Sequence, residues 1–157
     1  MKKKTLVAAT AIALGSLALT ACGNSDGSSG AKSGNTITMG FAQVGAESGW
    51  RTANTKSIQD TAKKEGIDLK FSDAQQKQEN QIKAIRSYIQ QKVDVIAFSP
   101  VVETGWDAVL QEAKRAHIPV ILTDRAVDSK DTSLYETFLG SDFVKEGQKA
   151  GQWLLDN

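Results

Sequence analysis

From Thr36 onward the chain alternates short β-branched or apolar runs with longer windows of helical periodicity, and nothing else in it constrains the fold as strongly. TITMGFAQV (Thr36 to Val44) reads as a first strand centred on Ile37 to Phe41. Trp50 to Glu65 is helical and stops at Gly66, a natural C′ residue. Ile67 to Ser72 reads as a second strand. Gln78 to Gln91 follows as an amphipathic helix with Ile82, Ile85 and Ile89 on its apolar stripe, and its Gln/Lys residues are taken as a solvated face. VDVIAFS (Val93 to Ser99) is nearly all apolar, as in a strand covered on both faces. Thr104-Gly105-Trp106-Asp107 has the form of a capping box, with Asp for the usual Glu. It opens a helix with Trp106, Val109, Leu110, Ala113 and His117 at helical spacing, and His117, at the rim away from the long loops, reads as packing or as a cap on the helix C-terminus. Ile118 to Leu122 makes a fourth strand, Tyr135 to Gly140 a fifth, and Phe143 to Leu155 a last helix. Units of roughly 25 to 30 residues in this order predict an α/β fold, a parallel sheet flanked by helices on both faces.

Composition removes several function classes. The 157 residues suit one domain. The formal charge is +1, and Lys2, Lys3 and Lys4 supply three of the 19 cations against 18 anions, so the rest of the chain is slightly acidic. Nucleic acid is not expected as a partner. A single Cys rules out an internal disulfide, and a single His leaves little for a zinc site or a histidine-based triad, so no metal or cofactor is expected. Gly40, Gly45 and Gly49 match no phosphate-binding loop.

Residues 1–21 join a basic start to an uncharged apolar stretch, Leu6 to Ala21, shorter than the roughly 20 residues of a spanning helix. They read as a secretory signal peptide. Residues 22–35 are nearly all Gly, Ser, Asn and Asp beyond Cys22, and read as a flexible linker.

In a parallel sheet, the loops beyond the carboxyl ends of the strands share one rim, where ligands bind. Here these are QVGAESGWR (Gln43 to Arg51), Asp73-Ala74-Gln75-Gln76, PVVETGW (Pro100 to Trp106) and Asp124-Arg125. They concentrate Trp, Arg, carboxylates and amides, whereas the opposite loops are short and plain. Planar forks bond adjacent hydroxyls and an indole face packs on sugar C–H groups, so this chemistry suits a small polyhydroxylated ligand. Trp50 reads equally as the first core position of its helix or as a ligand platform. Trp106 continues an apolar stripe and is assigned to the core. Arg51 lies in a first helical turn, where the dipole disfavours cations, and calls for a partner, either Glu47 or a ligand. Asp124 and Arg125 directly follow a buried strand and are assigned to function rather than to a surface ion pair.

Together, Ser48-Gly49-Trp50-Arg51, DAQQKQENQIKAIRS (Asp73 to Ser87), PVVETGW and IPVILTDR (Ile118 to Arg125) resemble substrate-binding proteins of bacterial ABC sugar importers, of the ribose/galactose periplasmic type. Galactofuranose-binding proteins carry the same signatures. Leu19-Thr20-Ala21-Cys22-Gly23 resembles a lipoprotein lipobox, which implies lipidation at Cys22 and anchoring to the outer face of the cytoplasmic membrane. The resemblance implies two α/β lobes closing on one monosaccharide without covalent chemistry, with an ABC permease as membrane partner. Glu47, Ser48, Trp50, Arg51, Asp124 and Arg125 match the sugar-binding set, with Asp73 and Thr104 as weaker matches. On this basis residues 36–140 form an incomplete N-terminal sugar-binding lobe and 141–157 begin the second, so the chain is expected to be truncated, to bind sugar weakly and to expose the apolar side of its last helix. A sugar-sensing receptor domain is the alternative to transport, and an enzyme with Asp124 or Glu47 as general acid or base is a third reading.

Overall fold

The computed structural model describes residues 36–157. Residues 1–35, and with them the expected signal peptide, the expected lipidation site Cys22 and the expected linker, lie outside the described residues. The elements run β1 (Thr38–Gln43), α1 (Gly49–Glu65), β2 (Asp68–Asp73), α2 (Gln78–Gln91), β3 (Val95–Phe98), α3 (Asp107–Arg115), β4 (Val120–Thr123), a 3₁₀ turn (Thr132–Leu134), β5 (Thr137–Leu139) and α4 (Phe143–Asp156). The five strands form one parallel sheet in the order β2-β1-β3-β4-β5.

The strand order reverses at β1. Right-handed crossovers in opposite directions put α1 on one face of the sheet and α2 with α3 on the other. The α2–α3 side holds the main core: Ile96, Phe98, Val120 and Leu122 from the sheet meet Ile85, Tyr88, Val109, Leu110 and Ala113. Burying side chains of this size is worth about 1.5 to 3 kcal/mol each. Trp106 is fully buried beside Phe98, with ring centroids 4.9 Å apart, and donates from Nε1 to the Val102 carbonyl at 2.6 Å. Its assignment to the core holds. Helix α1 is polar nearly all round, and only Arg51 and Ala62 on it are buried. All of α4 is exposed, including Phe143, Val144, Trp153, Leu154 and Leu155, as expected of its apolar side.

Three strands begin later than their apolar runs suggest, for one physical reason. Gly66, Lys92 and His117 adopt left-handed conformations, with φ of 70°, 55° and 57°. The next residue in each case (Ile67, Val93, Ile118) donates its N–H back to Ala62, Tyr88 or Ala113. These are Schellman terminations, in which the apolar residue after the turn seals the helix end and the strand follows it. His117 is therefore a helix terminator, exposed at the end of α3 and not part of its apolar stripe.

The capping box at Thr104 does not form. Gly105, at φ 85°, turns the chain, and α3 starts at Asp107 behind Trp106 without a side-chain cap. The Thr104 carbonyl instead accepts from Gln78 Nε2 at 2.6 Å. The solvated face assigned to α2 also needs correction at Gln81, which is fully buried. Its Nε2 donates to the carbonyls of Ala42 (3.1 Å) and Ser99 (2.6 Å), and its Oε1 accepts from the Val101 N–H (2.9 Å). One amide thus ties together the carboxyl ends of β1 and β3.

Candidate functional site

Because all five strands are parallel, the loops after β1, β2, β3 and β4 do share one rim. The loop after β1 leads into α1 through Ser48, whose extended backbone and hydroxyl make it the N-cap: Oγ accepts from the Arg51 N–H at 3.1 Å. Capping at Ser48 places Trp50 and Arg51 in the first turn with opposite environments. Trp50 is 56% exposed and Arg51 only 3%. The core reading of Trp50 is thereby excluded. Its ring instead covers the Arg51 guanidinium, whose carbon sits 4.8 Å from the ring centroid.

A buried cation at a helix start has both the dipole and desolvation against it. Three acceptors offset this. Arg51 Nη2 donates to Asp124 Oδ2 at 2.9 Å, Nη1 to Gln43 Oε1 at 3.2 Å and Nε to Glu47 Oε1 at 3.3 Å. Glu47 is thus the expected local partner, and Asp124 is a second, from the loop after β4, with β3 between that strand and β1. Asp124 leaves β4 at φ 65°, with its N–H donating to the Leu139 carbonyl at 2.8 Å. Arg125 Nε lies 3.8 Å from the same carboxylate, and its Nη1 donates to the Val101 carbonyl at 3.4 Å. Glu47, Trp50, Arg51, Asp124 and Arg125 therefore form one cluster of two cations, two carboxylates and an exposed indole.

Ser48 serves this cluster through the helix cap. Asp73 lies on the same rim as the register partner of Gln43, but its Oδ1 is engaged by the Gln75 N–H at 2.7 Å. Thr104 is engaged through its carbonyl by Gln78. Neither bonds to the cluster. A hollow of about 290 Å³ bordered by Lys114, His117, Pro119 and Ser133 opens at the opposite rim, where β4 begins, and takes no part in this arrangement.

Gln43 and Gln81 are the residues that sequence reading passed over. Both leave a readable trace. Gln43 interrupts the apolar run between Ala42 and Val44, and Gln81 shares a helical stripe with Ile85 and Tyr88. A polar group at such a position is stable only when it is bonded.

A family model described as a periplasmic binding protein domain matches residues 39–157. The galactofuranose-binding protein YtfQ of Escherichia coli (strain K12) is 49% identical over 154 residues, which is 98% of this chain and 44% of the relative. A Mycobacterium smegmatis protein crystallised with β-D-fucofuranose superposes with a TM-score of 0.74 at 69% identity, covering 77% of this chain and 40% of that one. The periplasmic binding component of the arabinose ABC transporter from Shewanella sp. ANA-3, bound to α- and β-L-arabinofuranose, gives a TM-score of 0.73 at 61% identity over 76% of this chain and 40% of that one. The chain thus spans less than half the length of each of these relatives. The match over residues 39–157 and the 49% identity to a relative covering 98% of this chain show that it belongs to the periplasmic binding protein family.

Proposed function

We propose that this chain is the N-terminal part of a substrate-binding protein of an ABC sugar importer, and that its rim cluster is one wall of a monosaccharide site. The observation that carries this reading is the convergence of Arg51 and Asp124 beneath the exposed Trp50. An exposed indole offers a stacking surface for a sugar ring. Glu47, Asp124 and Arg125 around it supply both donors and acceptors for sugar hydroxyls. The relatives described above bind sugars in furanose form, which favours a furanose-type pentose or hexose here. Binding is non-covalent, the protein acts outside the cytoplasm, and an ABC permease receives the sugar. Anchoring through acylated Cys22 belongs to the same reading; two acyl signals are enough for stable membrane attachment.

Saturation-transfer NMR with L-arabinose, D-galactose and D-fructose tests it. Magnetisation should pass from protein to at least one sugar and be lost in Trp50→Ala, while a chromogenic furanoside stays unhydrolysed. No transfer to any of the three would overturn the sugar-site reading, and hydrolysis would overturn the non-enzymatic one. Metabolic labelling with a fatty-acid analogue should mark the protein and fail to mark Cys22→Ala.

A further inference from the structure

We propose that Gln43 is a positioning residue for this cluster: its buried amide, oriented by Asn54 and Thr55 on α1, sets the Arg51 guanidinium, and Arg51 in turn holds Asp124. The functional importance of this arrangement rests on the sugar-site reading above; the geometry does not.

Gln43 ends β1 and is fully buried. Its amide is saturated. Nε2 donates to Asn54 Oδ1 at 2.8 Å and to Thr55 Oγ1 at 3.1 Å, and Oε1 accepts from the Val44 N–H at 2.9 Å and from Arg51 Nη1 at 3.2 Å. The orientation of this amide is forced. The Val44 N–H is a backbone donor and cannot reverse, so the group facing it must be oxygen. The same oxygen then faces Arg51. Asn54 and Thr55, one turn into α1, accept from the other end and keep the amide from rotating.

Arg51 needs this anchor because its two carboxylate partners stand outside the sheet and are partly exposed to water. Glu47 and Asp124 both sit in loops, and their side chains are 26% and 19% exposed. Gln43 is the one acceptor on a sheet strand, and it is neutral. The four charged side chains of the cluster already balance, so a neutral acceptor steadies the guanidinium without adding a buried charge. With Nε and one N–H on each of Nη1 and Nη2 engaged, the fork geometry of the guanidinium determines where its two other N–H groups lie. Fixing Arg51 through Gln43 thus fixes both Asp124 and the donors left for a ligand.

The test reads Arg51 directly. In ¹⁵N-labelled protein the Arg51 Nε–H should exchange slowly with water. Gln43→Met, which keeps the length of the side chain and removes its polar atoms, should speed that exchange about tenfold. Gln43→Glu, which keeps an acceptor toward Arg51 and Val44, should restore most of the protection. An Arg51 exchange rate unchanged in Gln43→Met overturns the proposal, and so does equal loss of protection in the Met and Glu variants. Should Gln43→Met fail to fold, Asn54→Ala on the half-buried side of α1 frees one end of the amide and should speed exchange about threefold; no change there overturns the proposal equally. Sugar titrations on the same variants separate the two readings. If wild-type protein receives no sugar, the sugar-site reading fails while the exchange rates still decide the role of Gln43.

Discussion

The guanidinium of Arg51 and the carboxylate of Asp124 meet at 2.9 Å across 73 residues of sequence, joining the loop after β1 to the loop after β4. The cation is almost wholly withdrawn from water, so the pair does not behave like a surface bridge. Asp124→Ala leaves a buried guanidinium short of its shortest contact and should cost about 3 kcal/mol in urea unfolding. Asp124→Asn, which keeps an acceptor, should cost visibly less. A loss below about 0.5 kcal/mol for Asp124→Ala would mean that the pair is worth no more than an exposed one.

Gly140 controls the backbone beneath Asp124. A Cβ added there would lie 2.8 Å from the Asp124 carbonyl oxygen and would also run into the Phe138 ring. Backbone cannot move aside as a flexible side-chain end can. Gly140→Ala should therefore destabilise the fold by about 1 to 3 kcal/mol and shift the Arg51 side-chain resonances, because Asp124 moves with its backbone. An alanine variant with wild-type stability and unshifted Arg51 signals would contradict this close approach.

Lys92 and His117 occupy left-handed positions that Gly66 fills without penalty. Lys92→Gly and His117→Gly should each raise stability by about 0.5 to 1 kcal/mol in thermal or chemical unfolding, since the backbone they need is the one glycine prefers. A decrease for both would show that their side chains stabilise the helix ends in some other way.

Burial raises the Tyr88 hydroxyl above its usual pKa of 10.0, and the bond it shares with Ser72 only partly counters this. The protonated form is thus favoured in the folded state. Its contribution to stability is complete below pH 10 and is lost as pH rises through the higher folded value. Unfolding free energy should decline in that alkaline window. Tyr88→Phe should flatten the decline while costing about 1 kcal/mol at neutral pH, since the Phe41 carbonyl, 3.0 Å from the hydroxyl, loses its donor. An alkaline profile identical in the two proteins would exclude Tyr88 as its source.

Much of this architecture is legible without coordinates. The bounds expected for α2 agree with those observed, the parallel sheet follows from the alternation, and Trp106 belongs to the core on spacing alone. Gly66 is where the C′ residue should be. The strand starts were less legible. Ile67, Val93 and Ile118 have strand-like side chains, but their N–H groups return to the preceding helix. Apolar character alone does not separate a helix seal from a strand.

The sequence by itself determined the main elements, their parallel direction and the rim on which Trp50, Arg51, Asp124 and Arg125 stand, because periodicity is an interaction between near neighbours along the chain. Only the tertiary structure decided that Trp50 stays exposed while Arg51 is buried beneath it. It also decided that Gln43 and Gln81 are structural anchors, and that Arg51 reaches Asp124 past a strand lying between their own. Those outcomes depend on the lateral order of strands and on which polar groups find partners after desolvation, and no spacing along the chain records either.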